Sequence, residues 1–329
     1  MSQQNSSTSN FKKFALRIAL PLLGGLFLFG LIFEKLFERY VVLGSQINGA
    51  YKINRVINET HPGETPIFGS SRALCSFIPD MLGDDYFNYG LSNAQDDMIL
   101  FCLKHELKKP KTNPTIVINL DIDGLTRSIG DVSYYLYNSN DPQVKRLLAS
   151  KYRTHYSIPF VKYYGYYEEY CKNMLNDKMN LTKFTNKGAS SEKNILTEKK
   201  FEEMIMKRKT SRITFKNDPE LEKEFDKILD ENRNRFFVFV VSPYHSSYFT
   251  NYKNYEEMKA FLARWDAKPN VKVYDFSKLA LADSLLLNTS HVNYLGAIQF
   301  SNTLRDSLSS LQKNEPEYAS IQNRMALRN

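Results

Sequence analysis

The sequence predicts an α/β fold: a three-layer open parallel sheet with a mostly helical insertion and one N-terminal transmembrane helix. Five apolar runs lack polar alternation, which is typical of strands covered on both faces. Segments with helical apolar spacing at 94–108, 255–265 and 296–311 lie between or after these runs, and such alternation favours a parallel sheet. The five predicted strands are residues 65–68, 86–89, 115–120, 236–241 and 271–274.

The segment of about 124–234 interrupts this alternation and predicts a mostly helical insertion. Its first part is rich in tyrosine and its second part in charge. Tyrosine stacks on sugar rings and donates hydrogen bonds, which favours a surface that faces a glycan. The alternative is that these tyrosines pack the insertion against the core, and the sequence leaves both open.

Residues 14–33 form an apolar run that is long enough to span a bilayer, with Arg17 as its single charge near the start. Lys12 and Lys13 precede it without an acid, whereas the residues after it carry both signs. The excess of positive charge before the run predicts a cytoplasmic N-terminus and an extracytoplasmic main domain. A cleaved signal peptide is the alternative, but the residues after Phe33 are charged and bulky, which favours an uncleaved signal anchor.

This anchor divides the chain into segments. We predict a cytoplasmic tail at 1–13, the transmembrane anchor at 14–33 and a stem helix at 34–60. An extracytoplasmic domain follows at 61–315, and a flexible tail at 316–329. The alternative for the stem is a helix that simply packs on the domain.

Composition excludes several function classes. The net charge is +8, but the basic residues are spread among acids and form no stripe with interleaved aromatics, so nucleic acid is not an expected partner. Cys75, Cys102 and Cys171 show neither a CxxC spacing nor a neighbouring histidine cluster, so no structural zinc site is expected. One disulfide or three buried thiols both remain open. We expect no metal and no organic cofactor.

Polar residues follow the first three predicted strands. Because reactive groups in open α/β sheets gather at the carboxyl ends of strands, these residues are candidates for a site. Gly69 and Ser71 place a hydroxyl on a tight turn, where the Ser71 amide could also serve a developing oxyanion. Gly90 could present a second amide and Asn93 a side-chain donor, although Asn93 also suits a helix cap.

The third strand is followed by two carboxylates, Asp121 and Asp123, on one short loop. They could orient a substrate or hold a cation, and such loops also make ordinary turns. His291, just before the last predicted helix, is the candidate base because a histidine titrates in the useful range. His245 also follows a strand and is a candidate to line the pocket.

These blocks together resemble the SGNH (GDSL-like) hydrolase superfamily. Within it they resemble the membrane-anchored branch of the D-alanine transfer protein of teichoic acid modification and the alginate acetylation proteins. Gly69-Ser70-Ser71 matches the first block and implies that Ser71 is the nucleophile, with Arg72 usual in the anchored branch. Gly90 matches the second block and implies an oxyanion-hole amide. The implied fold is the flavodoxin-like sheet of that superfamily.

The last block, Asp-x-x-His, falls on residues 288–291 and carries Asn288 where the family has the triad carboxylate. An amide cannot stabilise an imidazolium as a carboxylate does. Three possibilities follow: a Ser71–His291 dyad, a carboxylate supplied by Asp283 or Asp121, or a domain that binds without turnover. The family's third block has no literal counterpart, and residues 119–123 take its place.

The resemblance implies an acyltransferase or esterase that acts on acyl esters of a cell-surface or exported polysaccharide. It also implies a membrane-bound O-acyltransferase as a partner, and a place in the cell membrane with one span. The alternative, favoured by Asn288, is a catalytically weak or inactive envelope protein that binds glycan or scaffolds a polysaccharide-modification complex.

Overall fold

A five-stranded parallel sheet forms the centre of the computed structural model, which describes residues 11–149, 151, 153–159, 161–314 and 318–321. The α/β class with a central parallel sheet is therefore confirmed, and no predicted strand bound is off by more than one residue. The strands are β1 (Thr65–Phe68), β2 (Tyr86–Asn88), β3 (Thr115–Leu120), β4 (Phe236–Val241) and β5 (Val271–Asp275). Their spatial order is β2-β1-β3-β4-β5.

Helices and short pairs of strands surround this sheet. Smaller pairs are Lys183–Asn186 with Ala189–Glu192, Ile213–Thr214 with Tyr252–Lys253, and Leu286–Asn288 with His291–Val292. Short 3-10 helices cover Val132–Tyr135, Thr154–Ser157, Ser246–Phe249 and Asp283–Leu285. The α-helices are α1 (Leu20–Phe37), α2 (Gly49–Asn58), α3 (Ser71–Ser76), α4 (Pro79–Leu82), α5 (Asp96–Glu106), α6 (Pro142–Leu147), α7 (Tyr167–Met179), α8 (Glu198–Thr210), α9 (Pro219–Glu231), α10 (Tyr255–Asp266) and α11 (Tyr294–Asn314).

Apolar cores lie on both faces of the sheet, because alternate strand residues point to opposite sides. Ile118 and Phe239 pack with the buried faces of α2, α5, α9 and α10. Their neighbours Val117 and Val238 pack with Phe300 and the rest of α11. This two-sided burial explains why the strands read as unbroken apolar runs.

One N-terminal helix is long and apolar enough to cross a membrane, as the sequence predicts. It runs over Phe11–Val42, since π-helical turns at Ala15–Ala19 and Glu38–Val42 extend α1 at both ends. Its apolar side chains before Gly30 are largely exposed. Residues 1–10 of the predicted tail lie outside the described residues.

The predicted stem helix at 34–60 is wrong as a single rod. The long helix ends at Val42, where the Asn48 side-chain amide donates to the carbonyls of Val41 and Val42 at 2.9 and 3.2 Å. The chain turns there and α2 begins at Gly49. Ala50, Ile53 and Val56 of α2 are buried in the cores of the domain, so the alternative of a helix packed on the domain describes this part.

The insertion is shorter and less purely helical than predicted. It contains the antiparallel hairpin of 183–192, and its last predicted part, α9, packs Phe225 on Trp265 with ring centroids 5.6 Å apart. That helix therefore belongs to the sheet's own helical layer. Tyr135, Tyr163 and Tyr170 are buried, which is the packing alternative for the tyrosines, whereas Tyr164 is 77% exposed.

The described part of the predicted C-terminal tail is helical and packed on the domain. Residues 318–321 are helical, and both Tyr318 and Ile321 are buried. The Tyr318 ring packs on Phe236 at 5.1 Å, and its hydroxyl lies 3.1 Å from Thr115 Oγ1. Apolar side chains at these positions explain the docking. Residues 316–317 and 322–329 of the predicted tail lie outside the described residues.

Candidate active site

Ser71 is the first residue of α3, directly beyond the carboxyl end of β1. Gly69 makes the close turn possible, since a Cβ there would lie 2.6 Å from the Cβ of Ala73 and 2.9 Å from that of Asn119. Ser70 caps α3 by accepting from the Arg72 amide at 3.3 Å. The turn leaves Ser71 partly exposed, whereas the preceding Ser70 is buried.

His291 meets this serine from the far end of the chain. Its Nε2 lies 2.8 Å from Ser71 Oγ, although 220 positions separate the two residues. The hairpin of Leu286–Asn288 and His291–Val292 carries the ring, and Asn293 caps α11 just behind it by accepting from two amides at 3.1 Å. The structure thus brings together the predicted nucleophile and base in hydrogen-bonding geometry.

The far nitrogen of the ring contacts Asn288 and Ser290. His291 Nδ1 lies 3.1 Å from Asn288 Oδ1 and 3.1 Å from Ser290 Oγ. Asn288 Oδ1 also accepts the Ser290 backbone N–H at 2.8 Å, and an N–H can only donate, so the amide oxygen is the atom that faces the ring. Nδ1–H then donates to a carbonyl oxygen, which leaves Nε2 free to accept the Ser71 proton.

The imidazole is held in its neutral form. Burial, with the nearby Arg72 cation second, lowers the pKa of His291 to about 4, while Asp121 opposes the shift. A histidine with this pKa is unprotonated at neutral pH and can act as a base. The same shift makes the imidazolium less stable than in a triad with a carboxylate.

Among the described residues, neither Asp121 nor Asp283 forms a hydrogen bond with the His291 ring, so the prediction that one of them completes a triad is wrong. Asp121 accepts from Arg72 Nε at 2.6 Å and from Ser70 Oγ at 3.1 Å, and Arg72 also lies 3.9 Å from Asp123. Asp283 lies 3.3 Å from His245 Nε2. The Arg72 cation attracts the carboxylates at the end of β3, and the orienting role at His291 is left to Asn288.

Gly90 does not offer a free amide, which corrects its predicted oxyanion role. Its N–H donates to Asn88 Oδ1 at 2.8 Å in a turn closed by the side chain, and its carbonyl accepts from Lys52 Nζ at 2.7 Å. A Cβ at this position would lie 2.5 Å from the Leu74 amide nitrogen. Close packing of this loop on α3 therefore explains the glycine.

Asn93 is exposed in a left-handed conformation with φ 55°, and its carbonyl accepts from Ser128 Oγ at 2.7 Å. The cap interpretation is wrong, because α5 begins at Asp96 after Gln95. Within the described residues, no hydrogen bond joins Asn93 to Ser71 or His291. The Ser71 amide, in the first turn of α3 where no intrahelical acceptor exists, is the remaining candidate for an oxyanion donor.

His245 has both ring nitrogens engaged and lines a cavity of about 380 Å³. Its Nδ1 accepts from the Ser247 amide at 3.1 Å, and its Nε2 faces Asp283. Tyr244, beside it, forms a wall of the cavity and places its ring 5.0 Å from the Arg72 guanidinium. Neither Ser71 nor His291 is among the residues that line this cavity, so a substrate contact at His245 stays a prediction.

Sequence reasoning missed the residues that brace α3 from outside the sheet. Ser191, in the 183–192 hairpin, donates to the Cys75 carbonyl at 2.5 Å. Lys52 lies fully buried beneath the Gly90 loop, and burial lowers its pKa to about 7. Its position four residues before Val56, on the buried face of α2, was the available signal. Ser290 stood in the sequence beside His291 without an assigned role.

Cys75, Cys102 and Cys171 are all free thiols. Among the described residues, no group of three or more His, Cys, Asp or Glu side chains is arranged to hold a metal ion.

Comparisons with known proteins identify no family. No family model matches the chain, and no curated protein matches it. One solved structure that matches, described as "a putative platelet activating factor from Streptococcus pneumonia", has a TM-score of 0.39 and 11% identity. The match covers 89% of this chain and 99% of that one, but a likeness this low supports no assignment.

Proposed function

We propose that the chain is a membrane-anchored, SGNH-like serine esterase or O-acyltransferase that acts on acyl esters of a cell-surface or exported polysaccharide. The observation that carries this proposal is the 2.8 Å contact between Ser71 Oγ and a neutral His291, oriented by Asn288 at the carboxyl edge of a parallel sheet. The order of the Gly-Ser-Ser turn and the terminal histidine block supports the SGNH-like, three-layer form of the fold.

In this mechanism Ser71 Oγ attacks the acyl carbonyl while its proton passes to His291 Nε2. The Ser71 amide donates to the developing oxyanion. His291 then gives the proton to the leaving hydroxyl oxygen, and an acyl ester remains on Ser71. Water or a sugar hydroxyl attacks this ester in the second half, with His291 again taking and returning the proton. Asn288 keeps the ring oriented through both halves.

The N-terminal helix supplies the proposed location. A span that starts after Lys12 and Lys13 puts the N-terminus in the cytoplasm and the sheet outside, on the side of an exported polysaccharide. In that position a membrane-bound O-acyltransferase is the proposed donor of the acyl group. The acyl group itself is small, as the resemblance to the anchored branch implies.

A fluorophosphonate probe tests the nucleophile without knowledge of the natural substrate. Detergent-solubilised full-length protein should be labelled on Ser71 and should release acetate from a chromogenic ester. We expect Ser71→Ala to abolish labelling and to lower ester hydrolysis by about a thousandfold or more. Ser309→Ala, an exposed serine on α11, is the matched control and should be unchanged. Undiminished hydrolysis in Ser71→Ala would overturn the assignment.

The second candidate is an inactive or weakly active envelope protein that binds glycan or scaffolds a modification complex. Two observations favour it: the Gly90 amide is already occupied, and an amide stands where a triad carboxylate is expected. Under this alternative Ser71 resists the fluorophosphonate, while the protein still retains polysaccharide in a pull-down assay. Labelling of Ser71 together with acetate release excludes an inactive protein, and a high turnover number excludes a weakly active one.

A further inference from the structure

The outer domain contacts the N-terminal helix where a bilayer surface would lie. Residues before Gly30 are largely exposed, and at 1.5 Å per residue the stretch from Phe11 to Phe29 is about 28 Å long. The hydrocarbon core of a bilayer is about 30 Å thick. Burial against the domain begins at Gly30 and continues at Glu34. The structure leaves no free length of helix between an inserted span and the domain.

The helix is fastened to the tyrosine-rich part of the insertion by charge and by stacking. Glu38, which is buried, accepts from Lys162 Nζ at 2.8 Å and from the Tyr163 hydroxyl at 2.9 Å. Phe37 packs on three rings of the same segment, those of Tyr163, Tyr167 and Tyr170, at 4.8–6.1 Å. We call Tyr163, Tyr167 and Tyr170 the collar.

Side chains beside the collar face outward and are apolar. Ile158 is 49%, Val161 37% and Tyr164 77% exposed, and we call these three residues the seat. Gly165 follows Tyr164 in a left-handed conformation with φ 87°, and nothing lies within 4 Å of the position that a Cβ would take there. This turn allows Tyr164 to point away while the collar residues on either side of it point toward α1.

We propose that the seat rests in the outer interface of the bilayer that holds α1. The inference rests on the proposed anchor and extends it: the domain lies directly on the lipid surface at a fixed orientation. Tyrosine and aliphatic side chains are suited to the headgroup boundary, where one end of the ring is apolar and the other wet.

A lipid surface fits the seat better than a second protein because the seat and the membrane helix are held by the same segment. The collar binds α1 at Phe37, and Tyr164 is adjacent in sequence to the collar residue Tyr163. The collar residue Tyr167 also packs on Phe33, three residues or about 4.5 Å past Gly30 along the helix, so the segment that carries the seat is held near the level where a bilayer over α1 would end. A protein partner would have to insert between the seat and the bilayer. Quenching by brominated lipid separates a lipid contact from a protein contact.

The single tryptophan of the chain, Trp265, is fully buried and gives a constant background, so an introduced tryptophan can report lipid contact. Full-length Tyr164→Trp protein is reconstituted in vesicles of phosphatidylcholine and phosphatidylglycerol, with or without bromine on the acyl chains near the headgroups. We expect brominated lipid to remove at least half of the added emission. Glu256→Trp, an exposed position on α10 beside the far edge strand β5, should be unquenched.

Leu22→Trp, within α1, tests the membrane anchor separately from the seat. Quenching at Leu22→Trp but not at Tyr164→Trp overturns the seat and leaves the anchor standing, which is also the result expected if a protein covers the seat. Absence of quenching at Leu22→Trp overturns the anchor and the seat together. Ile158→Trp repeats the measurement at a second seat residue and should be quenched like Tyr164→Trp.

Discussion

Two groups of interacting side chains meet at the carboxyl edge of the sheet, and they differ in charge. The first joins Ser71, His291 and Asn288 and carries no formal charge. The second joins Arg72 to Asp121 and, at 3.9 Å, to Asp123. The carboxylates of this edge are therefore not missing. They neutralise the buried Arg72 cation, while the His291 ring contacts a neutral amide and not an anion.

This difference explains the electrostatics of the base. In a triad the carboxylate supports the imidazolium, whereas here Arg72 lies near the ring and disfavours it. Burial also lowers the pKa of His291 and is the larger of the two causes. The site can hold the Ser71 proton acceptor in position, but it stabilises the protonated acceptor weakly. Four changes test this comparison.

Asn288→Asp should have the largest effect. Ser290 already directs its amide and hydroxyl at the Oδ1 position, so a carboxylate finds its hydrogen bonds in place. In a serine protease, the exchange of the triad Asp for Asn lowers kcat about 10⁴-fold. We expect the reverse exchange here to raise ester hydrolysis by about two to four orders of magnitude and to raise the pKa of His291. Asn288→Gln is the control and should show no gain. Unchanged rates in Asn288→Asp would show that the anion is not what limits the site.

Arg72→Met removes the cation that pairs with Asp121 and Asp123. Because Asp121 is almost fully buried and would lose its partner, we expect the free energy of unfolding to fall by about 3–5 kcal/mol. Arg72→Lys, which keeps the charge but not the paired geometry, should lose less. Urea denaturation monitored by circular dichroism measures both. A loss below about 1 kcal/mol for Arg72→Met would contradict the buried ion pair.

The dependence of ester hydrolysis on pH reports the protonation of His291 directly. Since the pKa of His291 is lowered to about 4, ester hydrolysis should stay near its maximum down to about pH 5 and be halved near pH 4, whereas an ordinary histidine would lose activity near 6.5. Between about 6.5 and 4 the unfolded chain binds this proton and the folded one does not, so stability decreases as the pH falls. Circular dichroism at each pH keeps the two effects apart. An acidic limb near 6.5 would place His291 in a less buried setting.

Ser290→Ala should have the smallest effect. The Ser290 backbone amide still holds Asn288 Oδ1 at 2.8 Å after the hydroxyl is removed, so the ring keeps its acceptor. We expect no more than a few-fold decrease in kcat with an unchanged KM. Ser290→Thr, which restores the hydroxyl, should recover the loss. A decrease of a hundredfold would identify Ser290, and not Asn288, as the residue that orients the base.

The sheet could be predicted from sequence because two-sided burial leaves an unmistakable pattern. The run of β4 contains no polar residue, and each of its residues is buried. The placement of Ser71 could be predicted because parallel strands deliver their ends to one edge, whereas His291 lies on a short antiparallel hairpin and its pairing with Ser71 was predicted from the order of the sequence blocks. Element order and strand polarity therefore carry much of the information about where this site lies.

The partners within the site could not be predicted, because they depend on competition between neighbours. Whether Asp121 serves Arg72 or His291 is decided by distances that no spacing in the sequence reveals. The Gly90 amide was lost to Asn88 Oδ1 in the same way, through a local turn that satisfies the backbone. The predicted stem failed because Asn48 closes the end of the long helix, and its helix-compatible residues gave no sign of this.

Helix α7 connects the collar with the 183–192 hairpin. It begins among the collar residues Tyr167 and Tyr170, and the hairpin that braces α3 through Ser191 follows directly after it. Its length, about 20 Å at 1.5 Å per residue, separates the collar, which contacts the N-terminal helix, from the hairpin that contacts α3. One added or deleted turn would displace the hairpin by about 5 Å relative to the collar and change the reach that a substrate needs.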